Sequence, residues 1–216
     1  MNHPVEPKRI DFNHMVQNLF KREKFADAYA PLMHAAIGAI GEVTELLFSK
    51  NMANTVEELG DAEFYLEAAI QSLDHLSDHS ATMTIRGIAD LEKKRFVQQQ
   101  FPSWKNWAME ALDQCETILD LSKKLWVYNK PFDIEMTCAL ARAIGRAQVS
   151  LEYHAHTAGT NRALVLAANQ EKLIYGDNAR YRDMVYSDSA AIMRADKVGT
   201  AEENEKQMEF KFNEGN

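Results

Sequence analysis

Two pairs of carboxylates stand close together in the first third of the chain. Glu42 and Glu45 are three residues apart, twelve residues follow, and Glu58 and Asp61 repeat the same spacing. So much like charge in one stretch is unfavourable, because neighbouring carboxylates raise one another's pKa and destabilise the fold. Oxygen-only ligands of this kind are typical of a hard divalent cation. The residues therefore predict a site for Mg²⁺, with Mn²⁺ as a good substitute.

Two helices joined by a short turn are needed to bring these acids together. Pro31 is suited to the start of a helix, which we expect to run to about Lys50. The sequence NMAN then predicts a turn, with Asn54 or Thr55 as the N-cap of a second helix. Residues three apart lie about 60° apart around a helix axis, and short connections favour antiparallel neighbours. We therefore expect the four acids to converge on one small volume.

Two other interpretations of the acids stand beside this one. The first is a solvated helix face, since glutamate is common on helices; against it, Gly41 and Gly60 each precede an acid of the set and apolar residues surround it. The second is a di-iron helical bundle, which also gathers carboxylates. Such sites use Glu-x-x-His on two helices, and the sequence contains no Glu-x-x-His, which disfavours iron.

Helical periodicity continues along the rest of the chain. An amphipathic helix is predicted near the N-terminus, where apolar residues recur at spacings of three and four. No stretch shows the strict alternation of a half-buried strand, so we predict an all-α fold. Further helices are expected at about 80–98, 104–126, 133–158 and 160–175. The last segment, 201–216, is charged and poor in aliphatic residues, which indicates a frayed helix or a disordered tail.

Composition narrows the class of protein. The chain has 216 residues and a formal net charge of −8, which argues against general nucleic-acid binding. No apolar segment approaches the roughly 20 residues needed to cross a bilayer, and no signal peptide is seen. Cys115 and Cys138 are the only cysteines and indicate core positions in a reducing compartment. We expect a cytoplasmic protein with no membrane partner.

A weak internal echo links two of the predicted helices. Residues 57–69 can be laid on residues 142–154, which aligns Gly60 with Gly145 and Leu66 with Leu151. The carboxylates are not repeated, because Glu58 falls on Ala143 and Asp61 on Arg146. The segment 104–160 is thus either a degenerate second copy of 31–75, in which one half kept the acids, or a chance alignment of two helices.

The acidic segment resembles a known family. The stretches HAAIGAIGEVTELL, NTVEELGDAEFYL and AANQEKLIYGDNARY are similar to the MazG-like all-α nucleoside triphosphate pyrophosphohydrolases, whose motif is ExxE, a spacer and ExxD. The likeness covers about 30–75 and 165–197, with a long insertion between them. It implies an antiparallel helical bundle of that family's type, and a single catalytic domain over 1–200. Within that domain we expect acidic helices at 31–75, inserted helices at 78–158 and a nucleotide-contacting segment at 160–197.

The resemblance also implies roles for individual residues. Glu42, Glu45, Glu58 and Asp61 would hold Mg²⁺, and the reaction would convert a nucleoside triphosphate to its monophosphate and pyrophosphate. Glu45, which would orient or deprotonate the attacking water, and Glu58 are the catalytic candidates. The candidate nucleotide contacts are His34, Asn169, Lys172, Arg180, Tyr181 and Lys197. Ordinary explanations compete with some of them: His34 is also placed as a core residue would be, and Lys172 and Arg180 as solvated residues at a helix end.

Three functions follow from these residues. The first is an Mg²⁺-dependent hydrolase of nucleoside or deoxynucleoside triphosphates, expected to be a homodimer or homotetramer. The related dimeric dUTPases, in which one chain carries two helical halves, make hydrolysis of dUTP or dUDP an alternative. The last is a helical nucleotide-binding or regulatory protein that kept the carboxylates without turnover.

Overall fold

The computed structural model describes residues 10–77, 84–97, 106–182 and 184–193, and the regular structure of these residues is entirely helical. This confirms the predicted all-α class; the particular bundle family stays a prediction. Lys197 and the tail 201–216 lie outside the described residues. The α-helices in the described ranges are α1 (Phe12–Leu19), α2 (Ala30–Leu47), α3 (Met52–Leu76), α4 (Ile85–Val97), α5 (Trp107–Trp126), α6 (Ile134–Thr157), α7 (Arg162–Gln170) and α8 (Asp188–Met193). A 3₁₀ turn (Arg22–Lys24) follows α1, and a π-helical turn (Glu171–Tyr175) follows α7.

The core is built from two helical hairpins. Helices α2 and α3 form the first and α5 and α6 the second, and the hairpins pack together through α2 on α5 and α3 on α6. Their apolar faces supply large side chains that are fully buried, because each helix carries leucine or isoleucine at spacings of three and four. Among these side chains are Leu32, Leu59, Leu66, Ile118, Leu140, Ile144 and Leu151.

The start of α3 differs from the prediction. Asn51 is the N-cap, and its side chain accepts a hydrogen bond from the backbone N–H of Asn54 at 3.0 Å. The prediction of Asn54 or Thr55 as the cap was therefore wrong by one turn. Thr55 instead lies inside the helix, where its hydroxyl donates to the Asn51 carbonyl at 3.1 Å. The earlier start is favoured because Asn51 satisfies a backbone donor that would otherwise lack a partner.

Two glycines let flanking helices approach the core helices closely. A Cβ on Gly60 of α3 would lie 2.8 Å from Cβ of Asn169 on α7, and a Cβ on Gly145 of α6 would collide with the backbone carbonyl of Ala89 on α4. These are the two glycines that the internal echo aligns. Glu63 and Gln148, which the same alignment pairs, meet at 3.5 Å between α3 and α6. Contact between equivalent residues is what a pseudo-two-fold arrangement of the hairpins would produce, although the duplication itself stays a prediction.

We expect Gly145→Ala to destabilise the protein by about 2 kcal/mol, because the new methyl group meets backbone that cannot rotate away. Gly41→Ala is the matched control, since nothing lies within 4 Å of a Cβ at that helical position. This control should stabilise the protein by about 0.5–1 kcal/mol through the helix propensity of alanine. Urea unfolding followed by circular dichroism measures both. Equal effects of the two substitutions would contradict the close approach of α4 and α6.

Candidate active site: a carboxylate cluster beside an aromatic pocket

Three of the four predicted acids meet at the hairpin of α2 and α3. Glu42 of α2 and Glu58 and Asp61 of α3 each offer an oxygen, and within the described residues these oxygens lie within 4.8 Å of one another. Glu58 and Asp61 share a face of α3 because they are three residues apart, and the antiparallel packing of α2 presents Glu42 to that face. Glu58 is only 8% exposed, so this cluster is not a solvated helix surface.

The cluster changes the acidity of its members. Burial, followed by the charge of Asp61 and a hydrogen bond to Glu58, raises the pKa of Glu42 from its ordinary value of 4.5 to about 8. Burial also raises the pKa of Glu58, and the hydrogen bond from Glu42 partly offsets this increase. The Glu42 carboxyl therefore keeps its proton near neutral pH and donates it to Glu58. A shared proton relieves repulsion that a cation would otherwise have to relieve.

Glu45, the fourth predicted acid, lies at the edge of the cluster. Its side chain is exposed, and it is not one of the three residues whose oxygens converge. Its charge nevertheless contributes to the raised pKa of both Glu42 and Glu58, which places it within electrostatic reach. The position suits a residue that acts on a molecule beside an ion rather than one that anchors the ion.

Asp61 is tied to the segment after α7. The Lys172 ammonium contacts both carboxylate oxygens of Asp61, at 2.6 Å from Oδ1, and also lies 3.4 Å from Oε1 of Glu57. The side-chain amide nitrogen of Asn169 donates to Oδ1 of Asp61 at 2.6 Å. Asn169 and Lys172, two of the predicted nucleotide contacts, thus lie at the acidic cluster, where both bind the carboxylate of Asp61.

The amide oxygen of Asn169 provides a second sign of a binding site. Asn169 is 3% exposed, and its Oδ1 has no hydrogen-bond partner in the part of the chain that the structure describes. A buried polar atom without a partner is costly, and such atoms are concentrated where a ligand, ion or water completes them. This atom belongs to the side chain that already holds Asp61, so it lies next to the carboxylates.

The π-helical turn after α7 positions the remaining C-terminal residues. Its bond from Gly176 N–H to the Glu171 carbonyl, at 2.7 Å, closes the wider turn, and the chain then folds back on itself. The backbone N–H of Arg180 donates to the Lys172 carbonyl at 3.2 Å. Arg180 and Tyr181 therefore follow Lys172 in space as well as in sequence, and both line the pocket described next.

A pocket of about 330 Å³ opens beside the carboxylates. Glu42 and Asp61 form part of its wall, and cationic side chains of Lys21, Lys24 and Arg180 form another part. Most of the remaining wall is aromatic, contributed by Phe20, Phe25, His34, Phe64, Tyr65, Tyr181 and Tyr186. Aromatic surface, positive charge and carboxylates thus meet in one concave site of the size that holds a small molecule.

His34 lies among these rings. Its imidazole stacks on Phe20 with ring centroids 5.4 Å apart, lies at the same distance from Phe25, and meets the edge of Tyr65 at 6.0 Å. Burial lowers the pKa of His34, so the ring is neutral at pH 7. The residue is nevertheless exposed, and it lines the pocket.

Tyr65 joins the aromatic wall to the acids. Burial, together with the charges of Glu42 and Asp61, raises the pKa of Tyr65 to about 12, so its hydroxyl stays protonated and can donate. The ring lies across α2 at Gly38, where any Cβ would collide with it. Gly38 is therefore required for the position of Tyr65.

The C-terminal side of the pocket is held by Lys24. Its ammonium lies 2.6 Å from Oδ1 of Asp188 and 4.3 Å from the centre of the Tyr186 ring. Tyr186 in turn stacks on Tyr181 at 5.6 Å. Residues between α1 and α2 and residues around α8 thus meet at the mouth of the pocket.

The sequence analysis did not predict most of the aromatic and cationic part of the pocket wall. It did not identify Phe20, Phe25, Tyr65, Tyr186 or Lys24, all of which line the pocket. Phe20 continues the apolar periodicity of α1, which predicts one face of an amphipathic helix and no pocket. The one available signal was the density of aromatic and basic residues from Phe20 to Phe25, and that signal does not say which distant residues it faces.

The residues present fit a divalent cation. Three carboxylate oxygens are close enough to share one ion, and all of them are hard oxygen donors. Among the described residues, a buried amide oxygen beside them has no hydrogen-bond partner. The chain matches no protein-family model, curated protein or solved structure. None of the helices in the described ranges is long and apolar enough to span a membrane.

The raised pKa of Glu42 predicts how stability depends on pH. Between its ordinary value of 4.5 and about 8, the folded state keeps a proton that the unfolded chain releases, so stability without divalent cations falls as pH rises through this window. Glu42→Gln removes that dependence. At pH 8 it should stabilise the cation-free protein by about 2 kcal/mol, less than the whole shift because solvent reaches the carboxyl.

Thermal unfolding in the presence of EDTA, at several values of pH, measures this effect. The exposed Glu116→Gln on α5 is the matched control and should leave the pH dependence as it is in the natural protein. A natural protein whose Tm without cations rises steadily from pH 5 to pH 8 would contradict the shared proton.

Proposed function

We propose that this protein is an Mg²⁺-dependent hydrolase that converts a nucleoside or deoxynucleoside triphosphate to the monophosphate and pyrophosphate. One observation carries the proposal: two carboxylates of the cluster, Glu42 and Asp61, form part of the wall of a pocket that is otherwise mostly aromatic and cationic. The three surfaces correspond to the three parts of a metal–nucleotide complex, namely the ion, the phosphates and the base.

The charges of the site support a phosphorylated ligand that arrives with cations. A triphosphate carries about four negative charges and would be repelled by bare carboxylates, whereas bound divalent ions reverse the local field and lower the pKa of a water. Glu42, Glu58 and Asp61 would hold the ion. Arg180 and Lys172 would contact the phosphates, Arg180 through its bidentate guanidinium and Lys172 as a point charge.

The remaining acid suits proton transfer. Glu45 is exposed at the edge of the cluster and is not among the converging ligands, so its carboxylate is available to accept a proton from water that attacks the α-phosphorus. Glu58 is buried and fixed by the packing of α3, which suits an anchor for the ion. In-line transfer of a phosphoryl or nucleotidyl group depends chiefly on such positioning and on charge stabilisation.

The aromatic wall supports the nucleoside part of the substrate. A base presents a flat π-face, and stacking on a protein ring contributes about 1–3 kcal/mol for each base. His34 is exposed and lines the pocket, and Phe20 stacks on its ring, so the imidazole is a supported ring on which a base could stack. Tyr65 stays protonated beside the acids and can donate to a sugar or phosphate oxygen.

A non-catalytic nucleotide-binding protein is the alternative that a specific observation favours. Both oxygens of Asp61 are already bound by Lys172, so the carboxylate is neutralised without an ion. The same pocket would then bind a nucleotide through its rings and cations alone. Turnover separates the two functions, because only the hydrolase releases pyrophosphate, and it does so only with a divalent cation.

We expect hydrolysis when a panel of NTPs and dNTPs, including dUTP and dUDP, is incubated with the protein and Mg²⁺ or Mn²⁺. Monophosphate, pyrophosphate and the phosphate that dUDP would release are quantified by anion-exchange chromatography. Glu58→Gln keeps the shape of the side chain but removes the charged ligand, and it should lower kcat by at least about a hundredfold.

Glu116→Gln serves as the control, since it makes the same chemical change on an exposed face of α5, and it should keep full activity. Nucleotide binding with no turnover of any substrate would favour the non-catalytic alternative. Preferential hydrolysis of dUTP and dUDP would assign the dUTPase reaction.

His34→Ala tests the aromatic wall separately from the acids. Loss of one stacking ring should raise KM for the preferred nucleotide by about tenfold with little change in kcat. His156→Ala, an exposed histidine near the end of α6, is the control and should leave KM unchanged. An unaltered KM in His34→Ala would place the base outside this pocket.

A further inference from the structure

The ion pair between Lys172 and Asp61 affects how a cation could bind to the carboxylate cluster. The ammonium contacts both oxygens of the carboxylate, and Asn169 donates to one of them. Both side chains of the ion pair are largely buried, with 15% of Lys172 and 18% of Asp61 exposed. Lys172 therefore competes for the oxygens through which Asp61 would bind an ion shared with Glu42 and Glu58.

A divalent ion and the ammonium cannot use Asp61 in the same way at once. The ammonium and the Asn169 amide already use three of the roughly four lone-pair sites of this carboxylate, and two positive charges at such short range repel one another, most strongly in a part-buried site. The amide of Asn169 is neutral, so it can stay on Asp61 when an ion binds. Lys172 is the group that must leave.

We propose that Lys172 is a displaceable counterion: a divalent cation takes its place on Asp61, and the freed ammonium becomes a ligand for the phosphates of the incoming nucleotide. This inference rests on the proposed function and adds an order of binding to it: the cation binds to Asp61, and the released Lys172 then binds the phosphates. The cation-free site is neutralised internally, and a cation converts Lys172 from a partner of the acids into an anion-binding group.

The surroundings of Lys172 show where the freed ammonium would go. The backbone carbonyl of Lys172 accepts a hydrogen bond from the N–H of Arg180. Arg180 lines the pocket, and so does Leu173, which follows Lys172 in the chain. The lysine side chain is long and unbranched, so it can change partners by rotation without movement of α7. Cation and polyphosphate binding would then be positively coupled, because each makes the other's groups available.

Two binding measurements test the exchange, and neither requires turnover. The first is the affinity of the nucleotide-free protein for Mn²⁺, measured by electron paramagnetic resonance of free Mn²⁺. Lys172→Met removes the competitor for Asp61, so it should bind Mn²⁺ about tenfold more tightly than the natural protein, within the usual range for coupled sites. Lys24→Met is matched for charge, because it removes one cation from the same pocket but leaves the partners of Asp61 in place.

The second measurement is the affinity for tripolyphosphate in the presence of saturating Mg²⁺, measured by isothermal titration calorimetry. Here Lys172→Met should bind about tenfold more weakly, because the phosphates lose a charged ligand. Opposite changes in the two affinities are the signature of an exchanged counterion. Lys172→Gln repeats both measurements with a polar side chain, and circular dichroism establishes that each variant is folded.

Other outcomes overturn the proposal in distinguishable ways. If Lys172→Met gains no more Mn²⁺ affinity than Lys24→Met does, the gain reflects only the loss of one positive charge. The proposed exchange of Lys172 for a cation would then be wrong. Loss of both affinities in Lys172→Met and Lys172→Gln would show a purely structural ion pair. If the natural protein hydrolyses nucleotides while Lys172→Met leaves Mn²⁺ affinity unchanged, the exchange alone fails. If neither protein binds Mn²⁺, the carboxylates hold no cation and the proposed function fails with it.

Discussion

Negative charge buried along α3 is the constraint on which the arrangement of the molecule depends. Glu58, Glu63 and Glu67 are 8%, 1% and 2% exposed, and a buried carboxylate without compensation costs several kcal/mol. Arg162 of α7 binds Glu63 through two hydrogen bonds, at 2.7 and 2.9 Å. Arg86 of α4 binds both oxygens of Glu67. The flanking helices are thus held against α3 by charge as well as by apolar contact.

These ion pairs also place the groups of the candidate site. The pair of Arg162 and Glu63 fixes the first residue of α7, and the close approach at Gly60 fixes its end at Asn169. Lys172 lies less than one turn further on, so it reaches Asp61 because α7 is already held at both ends. The positions of Asn169 and Lys172 are therefore set by contacts that lie outside the carboxylate cluster.

The two hairpins carry opposite charges at the residue that follows the closely approached glycine. Asp61 and Arg146 each follow a glycine at which a flanking helix approaches closely, and the internal echo aligns them. Asp61 is bound by Lys172 from beyond α7, whereas Arg146 is bound to Glu92 of α4 at 2.8 Å. An arginine at this position satisfies the buried Glu92 without any ion. The charge at the aligned position is thus reversed between the two hairpins, and in the second an arginine stands where the first has an acid of the cluster.

The sequence was most informative where the relevant interactions are local. The spacing of apolar residues predicted the helices of both hairpins to within a few residues, and the spacing of Glu58 and Asp61 placed them on one face. The cap at Asn51 was missed because Asn54, three residues later, offers the same capping chemistry. The pairing of Glu63 with Arg162 and the meeting of Lys24 with Asp188 could not be predicted, since they join residues far apart in the chain and periodicity carries no information about such contacts.

The way each acid is compensated separates structural carboxylates from candidate functional ones. Glu63 and Glu67 are almost fully buried, but each has a guanidinium that binds both of its oxygens, and neither lines the pocket. Glu58 shares a proton with Glu42 instead, and Asp61 depends on a lysine that has a second carboxylate, Glu57, within 3.4 Å. A proton and a lysine ammonium are both easier to displace than a bidentate arginine. The cluster at Glu42, Glu58 and Asp61 therefore combines burial with compensation that a cation, if one binds there as proposed, would be able to displace.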